Sequence, residues 1–513
     1  MNQKAAFVYL VGAGPGDPGL LTLKGKECIE KADVLVYDYL ASPFLLKYAR
    51  SDAERIYVGK KGGDHTLKQQ EINQLLVEKA GVGQTVTRLK GGDPFIFGRG
   101  GEEVEALLAA GIPFEIVPGV TSAVAAPAYA GIPLTHRKYT STLAFVTGHE
   151  DPEKETSRID WKALARGIGT LVFFMGVKNL PHIVRQLTRH GMAAETLVGL
   201  IRWGTTARQK TVTGTLGDIV QKVEAAGLKA PAIIVVGEVV GLREAMQWFE
   251  NKPLMGKRVV VTRAREQASG LLQRLNEAGA DCLECPTIQI MPPDDWALLD
   301  RAIENLSDYH WLVFTSVNGV AFFFKRLFEL GKDVRALHHI RTACIGPVTK
   351  QRLADYGLAC DILPKSYRAE SVVTAFQDQD IAGKRVLLPR AREARPILPE
   401  ALTQMGAQVD EIGVYVTCID HGNRTTLVER LKEKAIDCIT FTSSSTVKNF
   451  KALIPEALFD TLMAPVTIAC IGPVTADTAR DLGFDVHVVA DTYTIAGLMD
   501  ALITYYGSDS NHV

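Results

Sequence analysis

The second half of the chain repeats itself at a nearly constant interval. The stretch "VVVTRARE" begins at Val259, and "VLLPRARE" begins 127 residues later at Val386. The motif "FTS" at Phe314 returns after 127 residues, and "ACIGPVT" at Ala343 returns after 126 residues. Agreement of three motifs on one offset indicates two structurally similar lobes. Paired lobes leave a cleft between them, and clefts are where ligands bind.

Short apolar runs alternate with amphipathic stretches along the whole chain, for example "AFVYLVG", "DVLVYD", "TLVFFMG", "HWLVFTS" and "KRVLLPR". Strands spaced by helices predict α/β architecture with parallel sheets. A length of 513 residues is too great for one core. Pro253 and Gly256 interrupt the pattern just before a new strand, so we predict domains at 1–248 and 249–513.

The bulk composition excludes several classes of protein. A formal net charge of −1 argues against nucleic acid or an anionic membrane as a partner. No apolar run approaches the ~18 residues of a membrane span, and the N-terminal run is interrupted by Gly and Pro, as in a first strand and not a signal peptide. Cys282 and Cys285 form the only close pair among eight cysteines. No second Cys pair or His cluster lies nearby in the sequence to complete a metal site. We expect a reduced, cytoplasmic protein without a metal.

The opening loop "GAGPGDPGL" contains the pattern G-x-G-x-x-G, from Gly14 to Gly19. In a dinucleotide-binding loop the backbone N–H groups face a pyrophosphate. Pro15 and Pro18 have no N–H, so two donors are absent. Asp38 lies 26 residues after Gly12, too far for the ribose-binding acid expected about 20 residues on. Taken alone, the loop leaves open a nicotinamide site, which is disfavoured, and a tight turn without ligand.

Further motifs occur in the first half: "RLKGGDPFIFGRGGEE", "VPGVTSAVAAPAYAGIPLTHR", "FFMGV" and "IRWGTT". With the opening loop and in this order, they resemble the tetrapyrrole methylases, most closely the uroporphyrinogen-III C-methyltransferases, over residues 5 to 245. The resemblance implies two α/β lobes, about 1–117 and 118–248. It also implies that S-adenosyl-L-methionine binds in the cleft between them and leaves as S-adenosylhomocysteine.

The resemblance assigns cofactor binding to ten positions: Pro15, Gly91, Gly92, Asp93, Ile96, Thr121, Ser122, Met175, Gly204 and Ala232. These residue types suit a sulfonium nucleoside, because glycine allows close backbone approach, apolar walls fit adenosine and a carboxylate accepts a hydrogen bond. Structural roles remain open for some of them. Met175 alone would suit a core, and Thr121 and Ser122 alone would suit a helix cap.

Methyl transfer to a pyrrole carbon needs alignment and then a shift of a proton, which a base and an acid assist. The resemblance assigns these roles to Asp38, at the end of a predicted strand, and Lys60. A turn-forming Asp and a solvated Lys are the alternatives. The substrate carries eight carboxylates, for which several nearby basic residues are candidate anchors: Arg50, Lys61, Arg88, Lys90, Arg99, Arg137 and Lys138.

Residues from about 256 to 505 resemble the uroporphyrinogen-III synthases. The motifs are the two repeats above, "EIGVYVT", "CITFTSSSTV" and "ACIGPVTADTARDLGF". The resemblance implies two flavodoxin-like lobes, about 256–290 plus 419–505 and 291–418, joined by a β-ladder. The strand near Val259 is then expected to pack with the last segment and not with the segment directly after it. No cofactor is implied for this half.

The "FTS" and "GPVT" turns present hydroxyls and backbone N–H groups where strands lead into helices, which suits substrate carboxylates. We predict substrate binding at Thr315, Ser316, Ser443, Ser444 and Thr475, with Tyr415 as an acid assisting loss of the hydroxyl. The family pattern has Thr where this chain has Val474, so Thr475 takes that role. Helix capping is the alternative for each hydroxyl. Five arginines are candidate acetate and propionate ligands: Arg263, Arg265, Arg390, Arg392 and Arg395.

Together the resemblances imply a bifunctional enzyme. It would close hydroxymethylbilane to uroporphyrinogen III with inversion of ring D, then methylate C2 and C7 to give precorrin-2 for sirohaem or cobalamin. A homodimer through the methyltransferase half is expected, as is a two-function fusion without a dehydrogenase–ferrochelatase region. Two other classes are disfavoured. Missing loop donors oppose a pyridine-nucleotide oxidoreductase, and the expected absence of a signal peptide opposes a periplasmic-type binding protein.

Overall fold

The computed structural model describes residues 6–59, 67–148, 159–263, 265–364, 366, 369–420 and 422–509. Numbered along the chain, the strands are β1 Phe7–Gly12, β2 Val34–Tyr37, β3 Glu54–Tyr57, β4 Thr85–Lys90, β5 Phe114–Val117, β6 Leu143–Thr147, β7 Thr170–Phe174, β8 Leu197–Arg202, β9 Lys210–Thr215, β10 Ala232–Val236, β11 Arg258–Val261, β12 Asp281–Glu284, β13 Ile288–Met291, β14 Trp311–Phe314, β15 Arg341–Cys344, β16 Arg385–Ala391, β17 Gln408–Ile419, β18 Cys438–Phe441, β19 Thr467–Cys470 and β20 Val486–Val489.

Helices alternate with these strands. They are α1 Leu23–Lys31, α2 Gln69–Gly81, α3 Gly100–Ala109, α4 Ser122–Tyr129, α5 Trp161–Gly167, α6 Leu180–Arg189, α7 Ile219–Ala225, α8 Arg243–Met246, α9 Arg265–Glu277, α10 Ala297–Glu304, α11 Val317–Glu329, α12 Pro347–Ala354, α13 Ala369–Phe376, α14 Ile397–Gln404, α15 Arg424–Lys432, α16 Ser444–Leu453, α17 Phe459–Met463, α18 Pro473–Asp481 and α19 Ile495–Asp509. Within the described residues the strands form four five-stranded sheets, two in each half. The predicted α/β fold class is confirmed.

The first sheet is wholly parallel, in the order β3-β2-β4-β1-β5. Its inner strands are buried on both faces, and β1 and β2 are mostly apolar, whereas β4 also carries the buried Arg88 and Lys90. Strands β1 and β4 are neighbours in register, with Gly12 opposite Lys90. Both strands end at the same edge, so the glycine-rich loops after them lie side by side at the carboxyl ends of the strands.

The second sheet has the order β6-β7-β10-β8-β9 and is mixed. Strands β6 and β7 are parallel, but β10 runs antiparallel to β7 and β8, and β8 runs antiparallel to β9. The expectation of parallel sheets is wrong here. Only residues 203–209 connect β8 to β9, and so short a connection allows antiparallel neighbours alone.

The sequence repeat corresponds to equivalent strands in the third and fourth sheets. Their orders are β12-β11-β18-β19-β20 and β13-β17-β16-β14-β15. The repeated "VVVTR" and "VLLPR" runs form β11 and β16, the strands before "FTS" form β18 and β14, and the "AC" pairs end β19 and β15. Each triplet is adjacent in its own sheet, so the repeat is structural.

A β-ladder connects the third and fourth sheets. The twelve-residue β17 pairs in parallel with β16 and then antiparallel with β13, from Val416 to Ile419. Strand β11 pairs with β18, far along the chain, and also with β12, the next strand in sequence. The expectation that β11 would not pair with the segment directly after it is therefore wrong. The short β11–α9–β12 crossover places two parallel neighbours together, as such units usually do.

The chain passes from one half to the other between Trp248 and Leu254. The Trp248 indole N–H donates to the Ala128 carbonyl of the first half at 3.0 Å. Leu254 is buried in a core with Val259 and Leu271 of the second half. The domain bounds themselves remain a prediction. No helix among the described residues has the length and apolarity to cross a membrane.

Candidate functional site

Two glycine-rich loops are joined by backbone hydrogen bonds at the edge of the first sheet. The Gly14 N–H donates to the Gly92 carbonyl at 3.2 Å, and the Gly92 N–H donates to the Gly14 carbonyl at 2.8 Å. Both residues have positive φ, +74° and +71°, which favours glycine. A Cβ on Gly12 would lie 2.4 Å from the Gly119 Cα. Side chains are therefore excluded where three loops converge.

A cavity of about 1590 Å³ opens beside these loops. It is lined by seven of the ten residues predicted to bind the methyl donor: Pro15, Gly91, Gly92, Ser122, Met175, Gly204 and Ala232. Asp93, Ile96 and Thr121 are not in its lining. The cavity continues to residues of the second half, including those around β12 and α15. Across this gap the Lys47 Nζ lies 3.9 Å from the Glu284 Oε1.

Asp93 shapes the second loop. Its Oδ1 accepts the backbone N–H groups of Phe95 and Ile96 at 2.8 and 3.1 Å, and its Oδ2 accepts that of Gly119 at 3.0 Å. The carboxylate thereby ties this loop to the one before α4. Thr121 caps α4 by accepting the Ala123 N–H at 3.4 Å. Both residues thus have structural partners, and contact with the methyl donor stays a prediction for them.

Backbone with positive φ occurs in the wall of the cavity. Among the described residues of the first half, five non-glycine residues have positive φ, of which Met175, Trp203 and Thr205 line the cavity and Phe97 and Arg99 do not. Such conformations cost free energy and cluster at functional sites. Met175 is 53% exposed. This disfavours the alternative that Met175 is a core residue.

Asp17 fixes the opening loop to the second sheet's side of the cleft. Its backbone N–H donates to the Thr205 Oγ1 at 3.0 Å, and the Tyr129 hydroxyl donates to its Oδ2 at 2.7 Å. Burial, with the Asp17 carboxylate second, raises the pKa of Tyr129, so the phenol stays protonated and keeps donating. No sequence pattern indicates this contact, because 112 residues separate the partners.

The candidate base Asp38 lies just after β2 in contact with a buried charge cluster. Its Oδ2 accepts from the Arg88 Nη2 at 3.2 Å, and the Arg88 Nε donates to the Glu103 Oε1 at 3.3 Å. The Lys90 Nζ donates to the same oxygen at 2.6 Å. Lys60, the candidate acid, lies outside the described residues.

Two of the residues predicted to anchor substrate carboxylates belong to this cluster, and for them the prediction is wrong. Arg88 and Lys90 are 3% and 4% exposed and are paired with Glu103, so they cannot reach a substrate side chain. Burial lowers the pKa of Lys90, and Arg88 lowers it further. Glu103 lies in the first turn of α3, where acidic residues are usually exposed, but it is fully buried. Arg50 and Arg99 pair on the surface with nearby carboxylates, Arg137 and Lys138 are exposed, and Lys61 is outside the described residues.

In the second half, Tyr415 and Ser316 come together where the pairing of β17 with β16 ends and β14 leads into α11. The Tyr415 hydroxyl donates to the Ser316 Oγ at 3.0 Å, while that oxygen also accepts the Gly319 N–H at 2.9 Å and caps α11. Burial raises the pKa of Tyr415, against the opposing effects of Ser316 and Arg390. A phenol that stays protonated suits the predicted role of acid.

Of the remaining predicted hydroxyls, Ser443, Ser444 and Thr475 lie in the other lobe of this half, and Thr315 does not. Ser443 caps α16 by accepting the Thr446 N–H at 3.3 Å, and the Ser444 Oγ lies 2.8 Å from the Thr478 Oγ1. Thr475 is buried at 6% exposure, beside the exposed Val474. Thr315 is half-buried next to Ser316. Within the described part of the chain, no hydrogen bond joins the Tyr415 pair to the Ser443 group.

Among the five candidate arginines, Arg390 is distinctive. It is 5% exposed, its Nη2 donates to the Arg395 carbonyl at 2.6 Å, and its Nε and Nη1 have no hydrogen-bond partner in the described structure. Its Nε is 3.5 Å from the Glu411 Oε1. Arg392 and Arg395 are exposed, Arg263 is half-buried, and the Arg265 side chain is outside the described set.

Comparison with known proteins agrees with the division of the chain into two halves. The model of the tetrapyrrole (corrin/porphyrin) methylases matches residues 8–220, and that of uroporphyrinogen-III synthase HemD matches residues 269–500. The porphyrin biosynthesis protein HemD of Ruminiclostridium josui is 38% identical over 98% of this chain and 99% of its own length.

Two relatives match the first half alone. The uroporphyrinogen-III C-methyltransferase of Priestia megaterium is 58% identical, over 45% of this chain and 98% of its own length. The S-adenosyl-L-methionine-dependent uroporphyrinogen III methyltransferase of Methanosarcina barkeri is 54% identical, over 48% and 96%.

The fold and the two sets of residues define an α/β enzyme with two unlike halves. The chain belongs to the tetrapyrrole methylase family in its first half and to the uroporphyrinogen-III synthase family in its second.

Proposed function

We propose that the second half closes hydroxymethylbilane to uroporphyrinogen III with inversion of ring D. The first half then transfers two methyl groups from S-adenosyl-L-methionine to C2 and C7, giving precorrin-2 for sirohaem or cobalamin. The observation that carries the methylation is the cavity lined by seven of the residues expected at the methyl-donor site. The full-length relationship to a porphyrin biosynthesis protein supports the pairing of the two activities.

The residues around the cavity fit a sulfonium nucleoside. A Cβ on Gly204 would lie 2.3 Å from the Ala126 Cβ, so the backbone there packs as closely as it can. A Cβ on Gly92 would have no atom nearer than 3.8 Å, so there is room for a ligand beside the backbone. Ile201, Ile233 and Phe174 supply apolar wall for an adenine ring. A bound donor supplies the methyl group as a cation equivalent and leaves as the neutral thioether.

The protein's task in methylation is alignment and then removal of a proton. Strained and glycine-rich loops hold the cavity wall in one shape, so a near-attack geometry costs little reorganisation. Asp38 is suited to accept a proton from the methylated ring, because its carboxylate is oriented from two sides: the Leu40 N–H donates to Oδ1 at 3.1 Å and Arg88 donates to Oδ2. We assign the acid to Lys60 from the family pattern.

In ring closure the hydroxyl of the hydroxymethyl group leaves as water, which requires a proton, and the methylene carbon stays to form the new bond. Tyr415 is suited to donate it, since its raised pKa keeps the phenol protonated and the Ser316 contact fixes its direction. The substrate's carboxylates would bind the hydroxyls and N–H groups at the starts of α11, α16 and α18.

Two measurements test these assignments. Hydroxymethylbilane alone should give uroporphyrinogen III, and with S-adenosyl-L-methionine it should give a dimethylated product, both identified by chromatography and mass spectrometry. Formation of the unrearranged isomer alone would refute the synthase, and the absence of methylated product would refute the transferase. Equilibrium dialysis should show binding of S-adenosylhomocysteine and none of NAD; the reverse result would favour an oxidoreductase. Sedimentation of the full chain tests the homodimer that we also propose.

A further inference from the structure

We infer that Arg88 is a positioning residue for methyl transfer: it orients the Asp38 carboxylate and is itself held by the buried Glu103. This inference rests on the proposed role of Asp38 as the base. Three side chains from β4, α3 and the end of β2 make the connection, and Arg88 is the only one of them that touches both of the others among the described contacts.

Glu103 is the fixed end of this connection. Its Oε1 accepts from Lys90 at 2.6 Å, from the Gln69 Nε2 at 3.2 Å and from Arg88 at 3.3 Å. Its Oε2, also buried, has no hydrogen-bond partner in the described structure. Burying a carboxylate is costly, and replacing buried charge by apolar residues is often neutral or stabilising. Stability alone therefore explains this arrangement poorly.

Arg88 is fixed in three directions. Besides the two carboxylates, its Nη1 donates to the Leu89 carbonyl at 3.0 Å, and its side chain is 4% exposed. A planar guanidinium held at three nitrogens has one orientation. Its Nη2 presents a hydrogen to the Asp38 Oδ2 from the interior of the first sheet.

Asp38 is the movable end. Its side chain is 25% exposed, and the next two residues, Tyr39 and Leu40, line the cavity. The Leu40 N–H fixes one carboxylate oxygen, so Arg88 is the group that decides the position of the other. Without Arg88 the carboxylate could rotate about its last torsion, and a displacement of about 1 Å in such a group can cost up to ~100-fold in rate.

The test uses Arg88→Lys, which keeps a cation beside Glu103 but has a single nitrogen instead of a fork. The kcat for methylation of supplied uroporphyrinogen III should fall about 10-fold, while KM and the Kd for S-adenosylhomocysteine stay within about twofold. Ring closure by the same chain should be unchanged. In an Asp38→Asn background, Arg88→Lys should have no further effect, because Arg88 acts through Asp38.

Gln69→Met is the matched control, since it removes another donor to the same Glu103 oxygen without contacting Asp38. Its kcat should equal that of the parent. The inference is overturned if Arg88→Lys retains parental kcat, if cofactor affinity and thermal midpoint fall in step with kcat, or if the effects of Arg88→Lys and Asp38→Asn multiply. A parental rate for Asp38→Asn alone is a distinct result, which refutes the role proposed for Asp38.

Discussion

The two halves present their candidate residues in different ways. In the first half the cavity wall includes glycines of several loops and, among the described residues, three non-glycine residues with positive φ, Met175, Trp203 and Thr205. In the second half, where the described part has one such residue, Lys434, the candidates are hydroxyls at helix starts. Ser316 and Ser443 already accept the N–H groups of their own helices.

This difference determines how function can be separated from stability. Backbone strain of the kind found in the first half clusters at functional sites. A capping hydroxyl in the second half stabilises its helix whether or not it binds substrate. Substitutions in the first half should therefore change activity strongly, whereas those in the second should divide between activity and stability.

The largest effect is expected from Asp38→Asn. An amide cannot accept the proton, so methylation should slow by about 100-fold or more while ring closure is unchanged. Initial rates of both reactions on one preparation measure this. Asp52→Asn is the control, because Asp52 pairs with Arg50 on the surface and should leave both rates at parental values. Equal loss of both activities after Asp38→Asn would remove the distinction between the halves.

Gly204→Ala should have the next largest effect. The added methyl would lie 2.3 Å from the Ala126 Cβ on α4, so the wall of the cavity must shift. Affinity for S-adenosylhomocysteine should fall about 10-fold, with a loss of about 1–3 kcal/mol in the free energy of unfolding, by calorimetry. Gly101→Ala in α3 meets no atom within 4 Å and should stabilise the helix by about 0.5–1 kcal/mol. Unchanged affinity in Gly204→Ala would contradict a rigid backbone wall.

Tyr415→Phe tests the acid of the second half. Ring closure to uroporphyrinogen III should slow about 10-fold or more, and methylation of supplied uroporphyrinogen III should not change. Because burial raises the pKa of Tyr415 above its ordinary value of 10.0, the acid form persists at higher pH. The parental rate of ring closure should therefore not decline below about pH 10, and its alkaline limb should disappear in the Phe variant. An alkaline limb near neutrality would assign the proton to another group.

The smallest effect, and the sharpest separation of capping from binding, is expected at Ser443. Ser443→Ala removes the cap of α16 and should lower stability by about 1 kcal/mol, whereas Ser443→Gly should lower it by only a few tenths. Both variants lack the hydroxyl, so KM for hydroxymethylbilane should rise equally in both. A parental KM in each would show that Ser443 is a cap alone.

The sequence predicted the features that depend on local pattern. The repeat specified equivalent strands, the prolines of the opening loop argued against a dinucleotide, and the glycines marked the converging loops. It could not specify contacts between distant residues, such as Asp17 with Tyr129 or Arg88 with Asp38, because no periodicity encodes them. For the same reason Arg88 and Lys90 were named as candidate substrate anchors, and the antiparallel strands of the second sheet were missed.

Strand β17 has a mechanical consequence for the second half. Its parallel pairing with β16 ends at Tyr415, and its antiparallel pairing with β13 begins at Val416. The candidate acid thus lies at the joint between two pairings, on the single strand that both share. Because Tyr415 packs in the core of one lobe and donates to Ser316 of that same lobe, its hydroxyl is fixed to that lobe, while the residues directly after it belong to the ladder with β13.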